Sequence, residues 1–201
     1  MTKQSQKKYD RLLDKAEELF LKHGYKNVSV DQIASEAGIS KMTVYKHFPS
    51  KEDLFIAAII KYSDYHMDIV REKLDQQYHT IDKLKCLNLY VIEANKGIQM
   101  DFYKEIFDRP YVLEKLMEYK RNASYSLWKE ILEDGVKKGD IRKVDTEFVA
   151  QLMMNMPGAL LNSVDLYASI YSEKGLNPFL EKLFDFLQYG LLGGLDNTPK
   201  E

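Results

Sequence analysis

The sequence predicts an all-α fold, and three observations predict it. Apolar residues recur at three- and four-residue steps along nearly all of the 201 residues. No stretch alternates apolar and polar residues for long enough to argue for a sheet. Glycine, proline and short polar capping residues cut the pattern into helix-sized pieces.

The first piece carries Tyr9, Leu12, Leu13, Ala16, Leu19 and Phe20 as one apolar stripe, with charged residues on the other face. Lys22 and His23 sit in its last turn and Gly24 is placed to end it. Ser29-Val-Asp-Gln32 reads as a capping box that opens a short helix through Ala37. Gly38 breaks that helix, and Ser40 caps another from Lys41 to about His47. Pro49 stops it, and Ser50 caps a long helix over 52–75 with acidic residues in its first turn. Further helices are expected near 80–97, 101–108, 111–138, 145–171 and 177–193. Gly97, Pro110, the 137–140 turn, Gly175 and Asn177-Pro178 supply the stops. The chain thus divides into a three-helix domain, 1–51, and a larger helical domain, 52–201.

Charge is divided unevenly between these parts. Residues 1–51 hold ten Lys/Arg against six Asp/Glu, net +4, and the remaining 150 hold nineteen against twenty-five, net −6. A basic end on an acidic body suits a protein that presents one end to a polyanion. The polar N-terminus and the lack of any long apolar run argue against a secretory signal or a membrane span, and the single Cys86 against an internal disulfide framework. A cytoplasmic protein is expected. His23, His47, His66 and His79 show no metal-ligand spacing, and no phosphate-cradling or nucleophile-elbow motif occurs, so no metal, no cofactor and no enzymatic activity are expected.

Residues 30–48 form two short helices about a tight turn. Ile33, Ala34 and Ala37 give the first an inner face, Val44 and Phe48 the second, and Gly38 can take the positive φ of the turn. This is the pattern of a helix-turn-helix, whose second helix enters the major groove in proteins that bind double-stranded DNA, and generic two-helix corners share the same spacing. The run Val30-Asp-Gln-Ile-Ala-Ser-Glu-Ala-Gly-Ile-Ser40, followed by Thr43-Val-Tyr-Lys-His-Phe-Pro-Ser-Lys-Glu-Asp-Leu54, resembles the DNA-binding domain of the tetracycline-repressor (TetR) family over about residues 9–56. Met42 departs from the small residue usual there.

The resemblance implies a transcriptional regulator, most simply a homodimeric repressor of a near-palindromic operator, released by an unidentified small-molecule effector; the alternatives are a regulator of this kind with no small-molecule effector, and a helical small-molecule-binding or interaction protein. Lys41, Met42, Thr43 and Lys46 fall on the exposed start and outer face of the recognition helix, with Ser40 at its cap. Tyr45 and His47 match positions that bond backbone phosphates, although their rings could equally pack between helices. Lys51 adds charge at the next helix start, and Ser29 is placed both to cap and to touch a phosphate.

In the body, Gln151, Asn155, Gly158 and Asn162 fall on one face of an otherwise apolar helix, and Pro157 should free the Met153 carbonyl. This stripe either lines an effector pocket or marks a close helix crossing at the dimer face. Phe102, Tyr103, Trp128, Met153 and Met156 are candidate pocket residues, since aromatics and methionines suit an adaptable apolar site. Leu180, Leu183, Phe184, Leu187 and Leu191, with Gly158 opposite, either form a dimer interface or close the chain's own core.

Overall fold

The protein's structure is a computed structural model that describes residues 3–94 and 100–161. Among the described residues there are eight α-helices and no strand: α1 (Lys3–His23), α2 (Val30–Ala37), α3 (Lys41–His47), α4 (Lys51–Asp75), α5 (Thr80–Ala94), α6 (Met100–Phe107), α7 (Pro110–Lys138) and α8 (Thr146–Leu161). The helix expected over 177–193, the end of that over 145–171, and the stops at Gly97, Gly175 and Asn177-Pro178 lie outside the described residues. None of the described helices is long and apolar enough to cross a membrane.

The helix ends follow local chemistry. Gly24 closes α1 at φ +77°, and its N–H donates to the Phe20 carbonyl at 2.9 Å. Ser29 Oγ accepts from the Gln32 N–H at 3.1 Å, but the Gln32 side chain turns to Glu36, so that capping box is half made. The reciprocal form appears at α4. There the Asp53 N–H donates to Ser50 Oγ at 3.0 Å, while the Ser50 N–H and hydroxyl donate to the Asp53 carboxylate at 3.1 and 2.6 Å. The bond from the Ser50 hydroxyl, above all, holds the Asp53 carboxyl below its ordinary pKa. The helix before Pro110 stops at Phe107 as expected, and Pro110 is itself the first residue of α7, where a missing N–H leaves no bond unmade. Asp145 caps α8 by accepting from the Phe148 N–H at 3.0 Å, and α8 continues through Pro157 to Leu161.

The described residues form two compact units, 3–67 with 100–120, and 68–94 with 121–161. The division falls inside α4 and α7 because the N-terminal helices share one core with later segments. Phe20 of α1 meets Phe55 of α4 edge-on at 4.9 Å, Phe55 meets Phe102 of α6 at 5.8 Å, and Val112 and Leu116 of α7 join the same cluster. A polar contact adds to this packing. The 8%-exposed carboxylate of Glu105, on α6, accepts the Tyr25 N–H at 2.5 Å and the Lys26 N–H at 3.2 Å, immediately after α1. Lys51 Nζ and the Arg109 guanidinium lie over the Tyr25 ring, 4.1 and 4.0 Å from its centroid.

In the second unit, Leu132, Ile141, Val149, Ala150 and Met153 form the core, with Tyr125 and Trp128 packed against it. Asp140, just past α7, accepts the Thr80 N–H at 2.7 Å and so fixes the start of α5. That backbone bond, above all, holds the Asp140 carboxyl below its ordinary pKa.

Candidate nucleic-acid interface and ligand cleft

The recognition helix α3 is short, so its position depends on its anchor. Val44 is fully buried against Ala34 and Ala37 of α2 in the first core. Gly38 turns the chain between them at φ +64°, and the Ile39 N–H returns to the Ala34 carbonyl at 3.0 Å, closing the helix end. Ser40 Oγ accepts the Thr43 N–H at 3.1 Å and lies 2.8 Å from the Thr43 hydroxyl.

The outward face that results is largely free. Met42 is 82% exposed and Tyr45 43%, and Ser29, Ser40, Lys41 and Lys46 are also exposed. Thr43 is half-buried beside its cap. His47 is half-buried too, its ring edge-on to Tyr9 at 5.4 Å. Lys51 points elsewhere: its ammonium donates to the Tyr25 carbonyl at 2.5 Å, and burial together with nearby Arg109 lowers its pKa. Lys41 carries a partner that the sequence did not suggest. Its ammonium is 2.9 Å from the Asp31 carboxylate, whose hydrogen bond raises the lysine's pKa.

Two outcomes follow from this surface. Replacing Tyr45 by alanine is expected to weaken duplex binding by about 1.5–3 kcal/mol on every sequence, as for loss of one hydrogen bond to a charged group, and to leave thermal unfolding unchanged. Fluorescence anisotropy at several salt concentrations checks it, and unchanged affinity removes the role. Asp31→Asn releases Lys41 and deletes a negative charge beside the polyanion, so binding to unrelated DNA should tighten severalfold. Weaker binding by the variant would contradict this.

The candidate pocket residues separate. Phe102 is buried against Phe55, and Tyr103, half-buried beside it, has its pKa pushed up by burial to about 12. Trp128 and Met153 line a narrow cavity of about 20 Å³, room for a single water molecule, with Thr80, Leu84, Ile131, Ile141, Val149 and the exposed Arg142 among its walls. Gln151, two residues before Met153, is exposed. The surroundings of Asn155, Met156 and Gly158, and the residues Asn162, Leu180, Leu183, Phe184, Leu187 and Leu191, lie outside the described residues. Among the described residues no group of three or more acidic, histidine or cysteine side chains is placed to hold a metal ion.

Comparison with known proteins bears on this arrangement. The model of a family described as bacterial regulatory proteins, tetR family, matches residues 12–58. The chain is 35% identical over 106 residues to the HTH-type transcriptional activator FasR of Mycolicibacterium smegmatis, covering 52% of the chain but only 47% of FasR, about half its length. It is 34% identical over 134 residues to an HTH-type transcriptional regulator of Staphylococcus aureus, covering 57% of the chain and 71% of that protein. Its fold is shared by the transcriptional regulator FadR of Bacillus subtilis, solved with stearoyl-CoA, at a TM-score of 0.63 and 19% identity, covering 91% and 99% of the two chains. With its helix-turn-helix presented on an all-helical frame, the chain belongs to the tetR family of bacterial regulatory proteins.

Proposed function

We propose that the chain is a dimeric repressor that binds a near-palindromic operator and leaves it when a small molecule occupies the body. In this reading residues 1–51 bind DNA, residues 52–201 bind the effector and dimerise, and the protein acts in the cytoplasm as a regulator and not an enzyme. The observation that carries it is the recognition helix: α3 is anchored through Val44 while Met42, Tyr45, Lys41 and Lys46 face outward. Two such helices on a symmetric dimer would read successive major grooves. Exposed Phe148 and Leu152, one turn apart on α8, support a self-association face in the body.

The lining around Trp128 is apolar with one charged wall residue, Arg142, so its chemistry suits an apolar effector with an anionic end group, for which the walls must part. A long-chain acyl thioester is the first ligand to try, given the stearoyl-CoA bound to FadR. The effector must bind the released form more tightly than the operator-bound form, whatever its total affinity.

The test uses the chain's only tryptophan as its reporter. An operator duplex is first selected by the purified protein from a random-sequence pool. Stearoyl-CoA is then titrated while Trp128 emission and operator anisotropy are followed together. The proposal expects emission to change and the operator to be released over the same concentration range. Equal ligand affinity with and without operator rejects the coupling, and a monomer in light scattering at micromolar concentration rejects the dimer.

A further inference from the structure

We infer that the outward face of α1, through Lys3, Lys7 and Arg11, is a second contact with the DNA phosphate backbone, beside the recognition helix; this rests on the DNA-binding reading above. The three cations stand at steps of four and so share one helix face. All three are exposed, as is Lys8 beside them.

Their lack of partners separates them from an ordinary solvated face. Further along α1, Lys15 pairs with Glu18 at 2.6 Å, and Asp14 and Glu17 are both held by Lys61 at 2.8 and 2.6 Å. Lys26 and Lys41 likewise reach Asp108 and Asp31, at 4.0 and 2.9 Å. Among the described residues, Lys3, Lys7, Lys8 and Arg11 form no ion pair. The one acid in their midst, Asp10, accepts from Gln6 Nε2 at 2.8 Å. Apart from Lys22 in its last turn, the unpaired lysine and arginine charge of this helix therefore lies in its first three turns.

Its position is continuous with the DNA-reading surface. An Arg11 terminal nitrogen lies 3.8 Å from where a side chain on Gly38 would begin, at the turn between α2 and α3. Tyr9, on the same stretch of α1, meets His47 edge-on at 5.4 Å and stacks on Phe48 at 5.7 Å, at the far end of α3. The N-terminal half of α1 thus borders the reading helix at both ends. Flexible ammonium groups and a guanidinium with no internal partner fit phosphate oxygens, which carry no sequence information.

The test compares the full-length protein with a Lys3→Gln/Lys7→Gln/Arg11→Gln variant and with Lys15→Gln, whose lysine already has a partner. The probes are the selected operator duplex and a scrambled duplex of equal length, titrated from 50 to 200 mM salt. The triple variant should bind both duplexes more weakly, and the slope of log affinity against log salt should become shallower by about 0.9 for each lost phosphate contact. Lys15→Gln should leave the slope unchanged. A triple variant with native helicity and the wild-type slope overturns the inference, as does a loss confined to the operator. Absence of salt-dependent binding by the wild-type protein instead sinks the DNA-binding reading itself. Because all three positions are exposed, thermal unfolding of the triple variant should match the parent, and Lys7→Glu alone should weaken binding further than Lys7→Gln.

Discussion

Replacing Glu105 by alanine should lower stability by about 2–4 kcal/mol, among the largest effects of any single surface-distant truncation here, because it strands donors in the first core. The carboxylate accepts the N–H groups of both Tyr25 and Lys26, and the side chain carrying it is 8% exposed. Lys26 is exposed, so its amide can turn to water, whereas Tyr25 sits under Lys51 and Arg109 and has less recourse. Removing the acid also leaves those two cations without their nearby negative charge. Glu105→Gln keeps one carbonyl oxygen and should lose about half as much. Urea unfolding with an unchanged m-value measures both, and a midpoint shift worth less than about 0.5 kcal/mol for the alanine variant would contradict this account.

A second large effect is expected at Gly135, in the other unit. Alanine there gains about 1 kcal/mol of helix propensity, which taken alone predicts stabilisation. The added methyl, however, would stand 2.5 Å from Thr80 Oγ1 and 3.2 Å from both Thr80 Cγ2 and Ile141 Cγ1. Thr80 is 1% exposed and held through its N–H and hydroxyl by Asp140, so it cannot swing aside. Overpacking of this kind costs about 1–3 kcal/mol, and against the propensity gain the net should be destabilisation by up to about 2 kcal/mol. Thermal unfolding decides the sign, and a raised midpoint would refute the argument. In a Thr80→Ala background the penalty should largely vanish, giving a measurable coupling between the two positions. Thr80 and Ile141 also wall the Trp128 cleft, so the same substitution should alter tryptophan emission.

Much of the fold was legible because its signals are local. Ser29, Ser40 and Ser50 each cap the helix that the sequence assigns them, since a short hydroxyl followed by an amphipathic run needs no distant partner. Gly24 and Gly38 take the positive φ that their positions require. Pro110 both follows the end of α6 and begins α7, and only the conformation of its neighbours shows at which residue the second helix starts. The division of the body was not legible. Phe102 and Trp128 look alike as aromatics on helices, yet one fills the first core and the other walls a cleft in the second unit.

The polar contacts that matter most at the interface escaped for a related reason. Glu105 lies on a short amphipathic helix, where an acid ordinarily faces water, and its acceptors' partners are 79 and 80 residues away. Lys51 has the spacing of an anion-binding residue at a helix start, but its ammonium is drawn to a carbonyl 26 residues earlier. Asp31 and Lys41 are ten residues apart on different helices, and only the turn at Gly38 brings them together. Gly135 is unremarkable in a helical pattern until Thr80 is placed against it.

The bond between Glu105 and the Tyr25 amide also sets an order of events during synthesis. Translation adds about 5–20 residues per second, so the 80 residues between them take roughly 4–16 s to emerge. Once α3 has emerged, α1, α2 and α3 have their own end contacts, but the Tyr25 and Lys26 amides still have only water. The nascent N-terminal part therefore waits on a carboxylate made much later, and a fragment ended within α4 never receives it. The reading surface belongs to the N-terminus in sequence, yet the ribosome completes its support only after α6 has emerged.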